Sequence, residues 1–329
     1  MSRIGVIGPV GPDRFAENVG DALQRLGHVI TQLGPARPRR SRSRLFDRAA
    51  GLARQAVPSL DERAQERIVR AALGNDCEII INVDSMLTPS VVTRLRSSGA
   101  RVAFWFPDHL ANLGRQYMLL APYDAIFFKE PFLTDRLRAM LDLPVYYLPQ
   151  ACNPRWHRPV TQAGTEHCLV IAGNMYPSRV RLLDRLIAKG IPLRLYGGKF
   201  PRWIGETASR AAHTGRIVTC EEKARVFRSA AGVLNTMNLA EVNGVNARLF
   251  EAAGCGAAVL TDFRSTVPEL FEVGKELLVF HDFDELVEQA TRLLSERGLT
   301  ARLGDAAALR AHRDHTYDLR VTTILEKLS

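Results

Sequence analysis

No run in the sequence approaches the ~18 uncharged apolar residues that a membrane-spanning helix requires, so a helical membrane protein is excluded from the expected classes. Cysteine is scarce as well. Cys77, Cys152, Cys168, Cys220 and Cys255 are odd in number, scattered and without CxxC spacing. That pattern predicts reduced thiols and argues against a disulfide framework or a zinc site, so no metal is expected. The opening MSRIGVIGPVGP runs straight into a strand-like segment, with too short an apolar stretch for a signal peptide, and a cytoplasmic protein is the expectation. Aromatic residues make up only 7% of the chain, and Phe46 alone interrupts its basic tract. The stacking platform that single-stranded nucleic acid needs is therefore missing, and no specific nucleic-acid partner is expected.

What is present is a globular composition, 46% hydrophobic and 24% charged, over 329 residues. That length exceeds what one core organises and predicts two α/β domains. The net charge of +9 comes largely from one tract, where Arg37, Arg39, Arg40, Arg42, Arg44, Arg48 and Arg54 stand against Asp47 alone. Such a tract attracts phosphate or the anionic lipid of a membrane, which would make the protein peripheral to it. A solvated surface loop is the equal alternative.

Strand-like and helix-like segments alternate along the chain, which predicts parallel sheets with covering helices. Arg3–Ile7, His28–Leu33, Glu78–Val83 (EIIINV), Arg101–Phe106 (RVAFWF), Ala125–Phe128 and Val145–Leu148 read as strands of a first domain, residues 1–150. Residues 151–166 lack periodicity and read as a linker. The pattern restarts at His167–Ala172 (HCLVIA) and continues through Leu193–Tyr196, Gly232–Asn235, Ala257–Thr261 and Leu277–Phe280, giving a second domain over 167–312. Residues 313–329 form a last helix that could pack back on the first domain. The expected fold is α/β, with two Rossmann-like doubly wound parallel-sheet domains.

Open α/β sheets bind ligands at the carboxyl ends of their strands, so the residues there are the candidates. The first turn, Gly5-Val-Ile-Gly8-Pro-Val-Gly11, is glycine-rich but is not GxGxxG, and strand two ends in Leu33-Gly34-Pro35 without an acidic residue for a ribose. A nicotinamide enzyme is disfavoured, while Gly8 and Gly11 suit either a phosphate loop or a tight turn. Asp108 and His109 follow RVAFWF and are candidates to orient or deprotonate an acceptor hydroxyl, with helix capping as the competing role for Asp108. Asp84, after EIIINV, ranks behind them. In the second half, VNGVNARLFEAAGCGAAVLTD places a small polar loop before a helix, where amides and macrodipole favour a diphosphate. Arg248 and Glu251 share a helix face there, suiting a phosphate and a ribose diol; an ordinary surface ion pair is the even alternative. Gly173-Asn174, Arg179 and Gly197 occupy further strand ends and helix starts of the same half. The DxD in His281-Asp282-Phe283-Asp284-Glu285 is read as capping, with Asp284 as the N-cap.

The stretch Asn243–Asp262 resembles the donor-binding motif of GT-B glycosyltransferases, particularly the spore-maturation CgeB-like family. Tyr123-Asp124, Leu148-Pro149, Ala172-Gly173-Asn174 through Arg179, and His315-Thr316-Tyr317 with Arg320 fit that family in order. The resemblance implies two domains facing across a cleft and transfer of a sugar from a nucleoside diphosphate sugar, a co-substrate, to a hydroxyl acceptor, without a metal and with retention. It assigns Glu251 to the donor ribose, and the amides of Asn246, Ala247 and Arg248 to its phosphates. The wider retaining pattern has two glutamates eight apart, and Asn243 stands where the first would be. A nucleotide-sugar epimerase of the same architecture and a non-catalytic nucleotide-sugar or anion binder are the alternatives.

Overall fold

The computed structural model describes residues 1–37, 57, 59–108, 112–161 and 166–329. The chain divides into two compact units. The first comprises Met1–Leu148 with Asp318–Ser329, and the second Pro149–Tyr317. Residues 38–54 of the basic tract and His109 lie outside the described residues; Arg37 pairs with the buried Asp61 at 3.0 Å.

The first unit is built on β1 (Arg3–Ile7), β2 (Val29–Gly34), β3 (Ile79–Asn82), β4 (Arg101–Phe106), β5 (Ala125–Phe128) and β6 (Val145–Tyr147). They form one sheet in the order β2-β1-β3-β4-β5-β6 with every pairing parallel. Parallel strands need crossovers; the helices Phe15–Arg25, Ser59–Gly74, Pro89–Ser97 and Pro131–Leu141 supply four of the five, and the segment from β4 to β5 holds the 3-10 turn Tyr117–Leu119. Helix-covered strands are buried on both faces and read as unbroken apolar runs rather than alternations. In RVAFWF, Val102 through Phe106 are all buried. Trp105 is fully enclosed; its Nε1 donates to the Leu148 carbonyl at 3.2 Å and its ring meets Phe15 edge-on at 4.6 Å.

The second unit repeats the scheme with β7 (Glu166–Ala172), β8 (Leu193–Tyr196), β9 (Ala230–Asn235), β10 (Val259–Asp262) and β11 (Leu278–Phe280), ordered β11-β10-β9-β7-β8 and again wholly parallel. Its longer helices are Pro177–Ala188, Cys220–Ser229, Ala247–Gly254, Phe283–Ser295 and Arg297–Asp314. The aperiodic segment after Pro149 is packed in this unit: Cys152 and His157 are fully buried, and Cys152 exchanges backbone hydrogen bonds with His315 and Tyr317. The helix Tyr317–Leu328 begins in the second unit and, from Asp318 onward, belongs to the first. Among the described residues no helix is long and apolar enough to cross a membrane.

The order of each sheet reverses at its first strand, β1 in one unit and β7 in the other. That is where a crevice opens in a doubly wound sheet. At the first reversal, Gly8 donates its amide to the Gly34 carbonyl at 3.0 Å. A Cβ there would stand 2.4 Å from Val83 Cγ2 and 3.0 Å from Ala16 Cβ. The Gly8 amide is therefore engaged within the fold, and close packing alone demands glycine. Gly11 takes a φ of +156° and its carbonyl accepts from the Arg14 amide, closing the turn into the first helix.

Gly8→Ala should cost about 1–3 kcal/mol of stability through overpacking. Adding Val83→Ala should give a loss smaller than the sum of the two single losses, read by urea denaturation.

Candidate donor site at the second switch point

The reversal between β7 and β9 lies where the sequence concentrates its candidates. Gly173 follows β7 with φ +152° and donates its amide to the Tyr196 carbonyl at the end of β8. Gly197, next after β8, approaches so closely that a Cβ on it would fall 2.3 Å from the Gly173 carbonyl oxygen. Two glycines far apart in sequence thus let neighbouring strand ends touch through backbone alone. Beside them a cleft of about 150 Å³ is lined by Gly173, Asn174, Tyr196, Gly197, Ile217 and Arg248, among others. A larger cavity of about 510 Å³ in the same unit borders the amino ends of β7 and β9 and contains none of these groups.

Arg179 stands in the first turn of the helix Pro177–Ala188 and reaches across the reversal. Its Nε and Nη2 donate to the hydroxyl and carbonyl of Thr236, at 2.7 and 2.6 Å, and its Nη1 donates to the Asn174 carbonyl at 2.6 Å. The side chain ties the end of β7 to the end of β9. Burial lowers its pKa, and repulsion from Arg248 acts in the same direction, against attraction from Tyr176, Asp262 and Glu241. A guanidinium stays charged in proteins, so this is a positive group held by neutral acceptors. The loop after β9 is fixed further by Asp262, whose carboxylate accepts from the Met237 amide at 2.9 Å and pairs with Arg264 at 3.1 Å. Burial pushes the Asp262 carboxyl up, with Arg264 opposing.

That loop delivers the helix Ala247–Gly254. Asn246 is its N-cap, and its side chain accepts from the Leu249 amide at 3.3 Å. Asn246 thus places the first-turn amides and has its own side-chain oxygen engaged in doing so. Asn243 is held from the turn after β10: Ser265 donates to its side-chain oxygen at 3.0 Å, and Thr266 to its carbonyl. The buried Glu241 turns back on its own loop and accepts from the Asn238 amide at 3.4 Å.

One helical turn on, Glu251 is only 5% exposed. Its Oε2 takes both a hydrogen bond from Arg248 Nη1 and one from Lys223 Nζ, the latter at 2.9 Å. The sequence reading named Arg248 and Glu251 as a pair and missed Lys223. This lysine is 3% exposed and lies 3.5 Å from Nε2 of the enclosed His157, whose Nδ1 accepts from the Asn153 amide. The signal was present in the helix Cys220–Ser229: Lys223 shares its buried face with Ala224 and Phe227, a place where an unpaired lysine would not remain. Thr236 and Asp262 were missed as well, because their partners are 57 and 25 residues away.

The remaining candidates occupy the first unit. Asp108 follows β4, half-buried, and accepts from the Asn112 side chain at 2.6 Å. Asp84 accepts the amides of Ala36 and Met86, one on each carboxylate oxygen, and so joins the ends of β2 and β3. The DxD is a cap, with one correction: Asp282, not Asp284, is the N-cap, accepting from the amides of Asp284 and Glu285. The helix starts at Phe283, directly after Asp282, which puts the capping position on the first acid of the motif.

Lys223→Met removes one of the two cations on the buried Glu251 carboxylate, and stability should fall by less than the ~3 kcal/mol of a fully broken buried pair because Arg248 remains, measured by urea denaturation.

Residues 179–326 match the family described as glycosyl transferase-like. The spore protein CgeB of Bacillus subtilis (strain 168) is 26% identical over 165 residues, spanning 44% of this chain and 49% of that protein. The chain thus spans about half the length of the curated relative it matches. Among solved structures, sucrose-phosphate synthase of Thermosynechococcus elongatus superposes with a TM-score of 0.69 at 13% identity, covering 100% of this chain and 99% of its own. AviGT4, a glycosyltransferase involved in avilamycin A biosynthesis, gives 0.64 at 17% identity with 100% and 97% covered. Anabaena HepE in complex with UDP-glucose gives 0.64 at 12% identity with 100% and 99% covered. At such identities the likeness speaks for the fold. Residues 179–326 are thus similar to the glycosyl transferase-like family, and both parallel-sheet units share the fold of GT-B glycosyltransferase structures.

Proposed function

We propose that the chain is a glycosyltransferase that moves a sugar from a nucleoside diphosphate sugar to a hydroxyl-bearing acceptor. The observation that carries this reading is the charge at the second switch point. Arg179 and Arg248 lie close enough to repel each other, beside a narrow cleft and the amino end of a helix capped by Asn246. A diphosphate answers that excess of positive charge with two or more negative charges, and helix-start amides add to its binding. Glu251, at the inner end of the cluster, is the carboxylate for the ribose diol. HepE, a structural relative, was solved with UDP-glucose, and this supports the same donor class here.

In the transfer, the acceptor oxygen forms a bond to the anomeric carbon while the bond from that carbon to the diphosphate oxygen breaks. The departing pair of electrons remains on the diphosphate, and Arg179, Arg248 and the helix amides stabilise it in place of a metal ion. The hydroxyl proton leaves to a base, for which Asp108 and His109 are the candidates; retention follows the resemblance to CgeB-like enzymes. The basic tract Arg37–Arg54 is assigned to an anionic membrane or phosphate contact.

A thermal-shift panel of nucleoside diphosphates and their sugars tests the donor class, since a ligand at a hundred times its Kd adds ~2.7 kcal/mol of stability. A panel without a single upward shift would sink the reading. Glu251→Gln keeps the shape of the side chain and should weaken donor binding about tenfold or more, the scale of a hydrogen bond to a charged group; transfer should survive addition of EDTA.

A further inference from the structure

We propose that Lys223 is a positioning residue of the donor site: by holding Glu251 from its buried side, it allows Arg248 to leave that carboxylate for the donor's diphosphate. The inference rests on the donor reading above and deepens it, assigning a role to a lysine outside the pattern that led to the site.

The observations are a count of charges and a difference in access. Two cations share one oxygen of one carboxylate, and a third, Arg179, is near enough to repel one of them. Lys223 and Glu251 have side chains only 4% and 7% exposed, whereas Arg248 is 24% exposed and borders the cleft. Lys223 is therefore the resident partner of Glu251, and Arg248 is the one with a route to a ligand. Arg248 Nε is buried with no hydrogen-bond partner among the described residues, an orphaned donor on the side chain that lines the cleft. A buried donor without an acceptor is costly, and an arriving phosphate oxygen removes that cost. The guanidinium's planar fork suits it to phosphate, while a lysine lodged beneath the carboxylate acts as a point charge that stays. The ring of Phe227 lies 5.5 Å from Arg248 Cζ and gives the guanidinium a face to turn against during the exchange.

Without Lys223, Arg248 is the one of these two cations left on Glu251, and releasing it would take the second cation from a buried carboxylate. The loss should fall on the phosphate contact rather than on the ribose or base. The experiment compares binding of UDP, GDP and ADP with that of the corresponding nucleosides, by calorimetry on the full chain. The ratio of nucleoside Kd to diphosphate Kd isolates the phosphate contact. Lys223→Met should lower this ratio about fivefold or more, the lower end of ordinary coupling between groups. Arg248→Met should lower it too, and Lys223→Met should add nothing in that background. In a Glu251→Gln background the carboxylate to be balanced is gone, so Lys223→Met should leave the ratio within about twofold of Glu251→Gln alone, an absence of coupling.

An unchanged ratio in Lys223→Met overturns the proposal, as does an additive fall in the Lys223→Met/Arg248→Met pair. If Lys223→Met does not fold, the Glu251→Gln background decides alone: a further fall there on losing Lys223 means the lysine acts on phosphate directly, and overturns the exchange. A wild-type chain that binds none of the three diphosphates overturns the donor reading itself, a result distinct from these.

Discussion

Every strand pairing described in both units is parallel, and that one constraint decides where chemistry can sit. A parallel pair must be joined by a crossover, so the segment following each strand emerges at the same edge of its sheet. Where crossovers depart in opposite directions, at β7 and β9, that edge is left without a connection spanning it. Arg179 fills the role a loop would have had, bridging Asn174 to Thr236. Gly173 and Gly197 let the adjoining strand ends close to backbone contact, which keeps the cleft beside them narrow. The groups proposed to grip a donor are thus consequences of topology before they are consequences of chemistry.

The same edge carries an imbalance of charge that packing alone does not require. Two cations on a single buried carboxylate are an inefficient way to hold a helix, since a well-packed apolar pair often serves as well. A third cation nearby, hydrogen-bonded to neutral oxygens and attracted by Asp262 and Glu241, repels one of the two. Such a cluster is coherent when a polyanion belongs among its members. In the proposed reading the diphosphate completes the set, and the stability conceded without it is recovered as binding free energy.

Much of the fold was legible because buried parallel strands are written as apolar runs. RVAFWF, AIFF and LRLY lie where the sequence placed them, residue for residue. Helix ends were less legible. Asp282 and Asp284 are both competent caps, and their spacing alone does not say which lies outside the first turn. Of the site, the elements local in sequence could be read, such as Arg248 and Glu251, three residues apart on one helix. Contacts across the sheet could not: Arg179 with Thr236 and Lys223 with Glu251 join segments whose proximity exists only after β7 and β9 pair. Gly8 shows the reverse case. Its residue type was read as suiting either a phosphate loop or a tight turn; its amide is engaged by Gly34 and its missing side chain makes room for Val83 and Ala16.

Asn243 shows how the departure from the wider glycosyltransferase pattern is absorbed. A carboxylate at that position would face the Ser265 hydroxyl and sit on the carbonyl-capped turn of Thr266, near the acid Asp262 and the buried Glu241. An uncharged amide accepts the same hydroxyl without adding a third acid to that corner. Glu241 is no substitute as it stands, because its carboxylate accepts from Asn238 and its carbonyl from Arg264, which fixes it to the protein side of the loop. In the proposed reading this loop therefore meets the donor sugar with neutral groups. The carboxylate that this reading offers to the donor is Glu251, balanced on the protein side by Lys223.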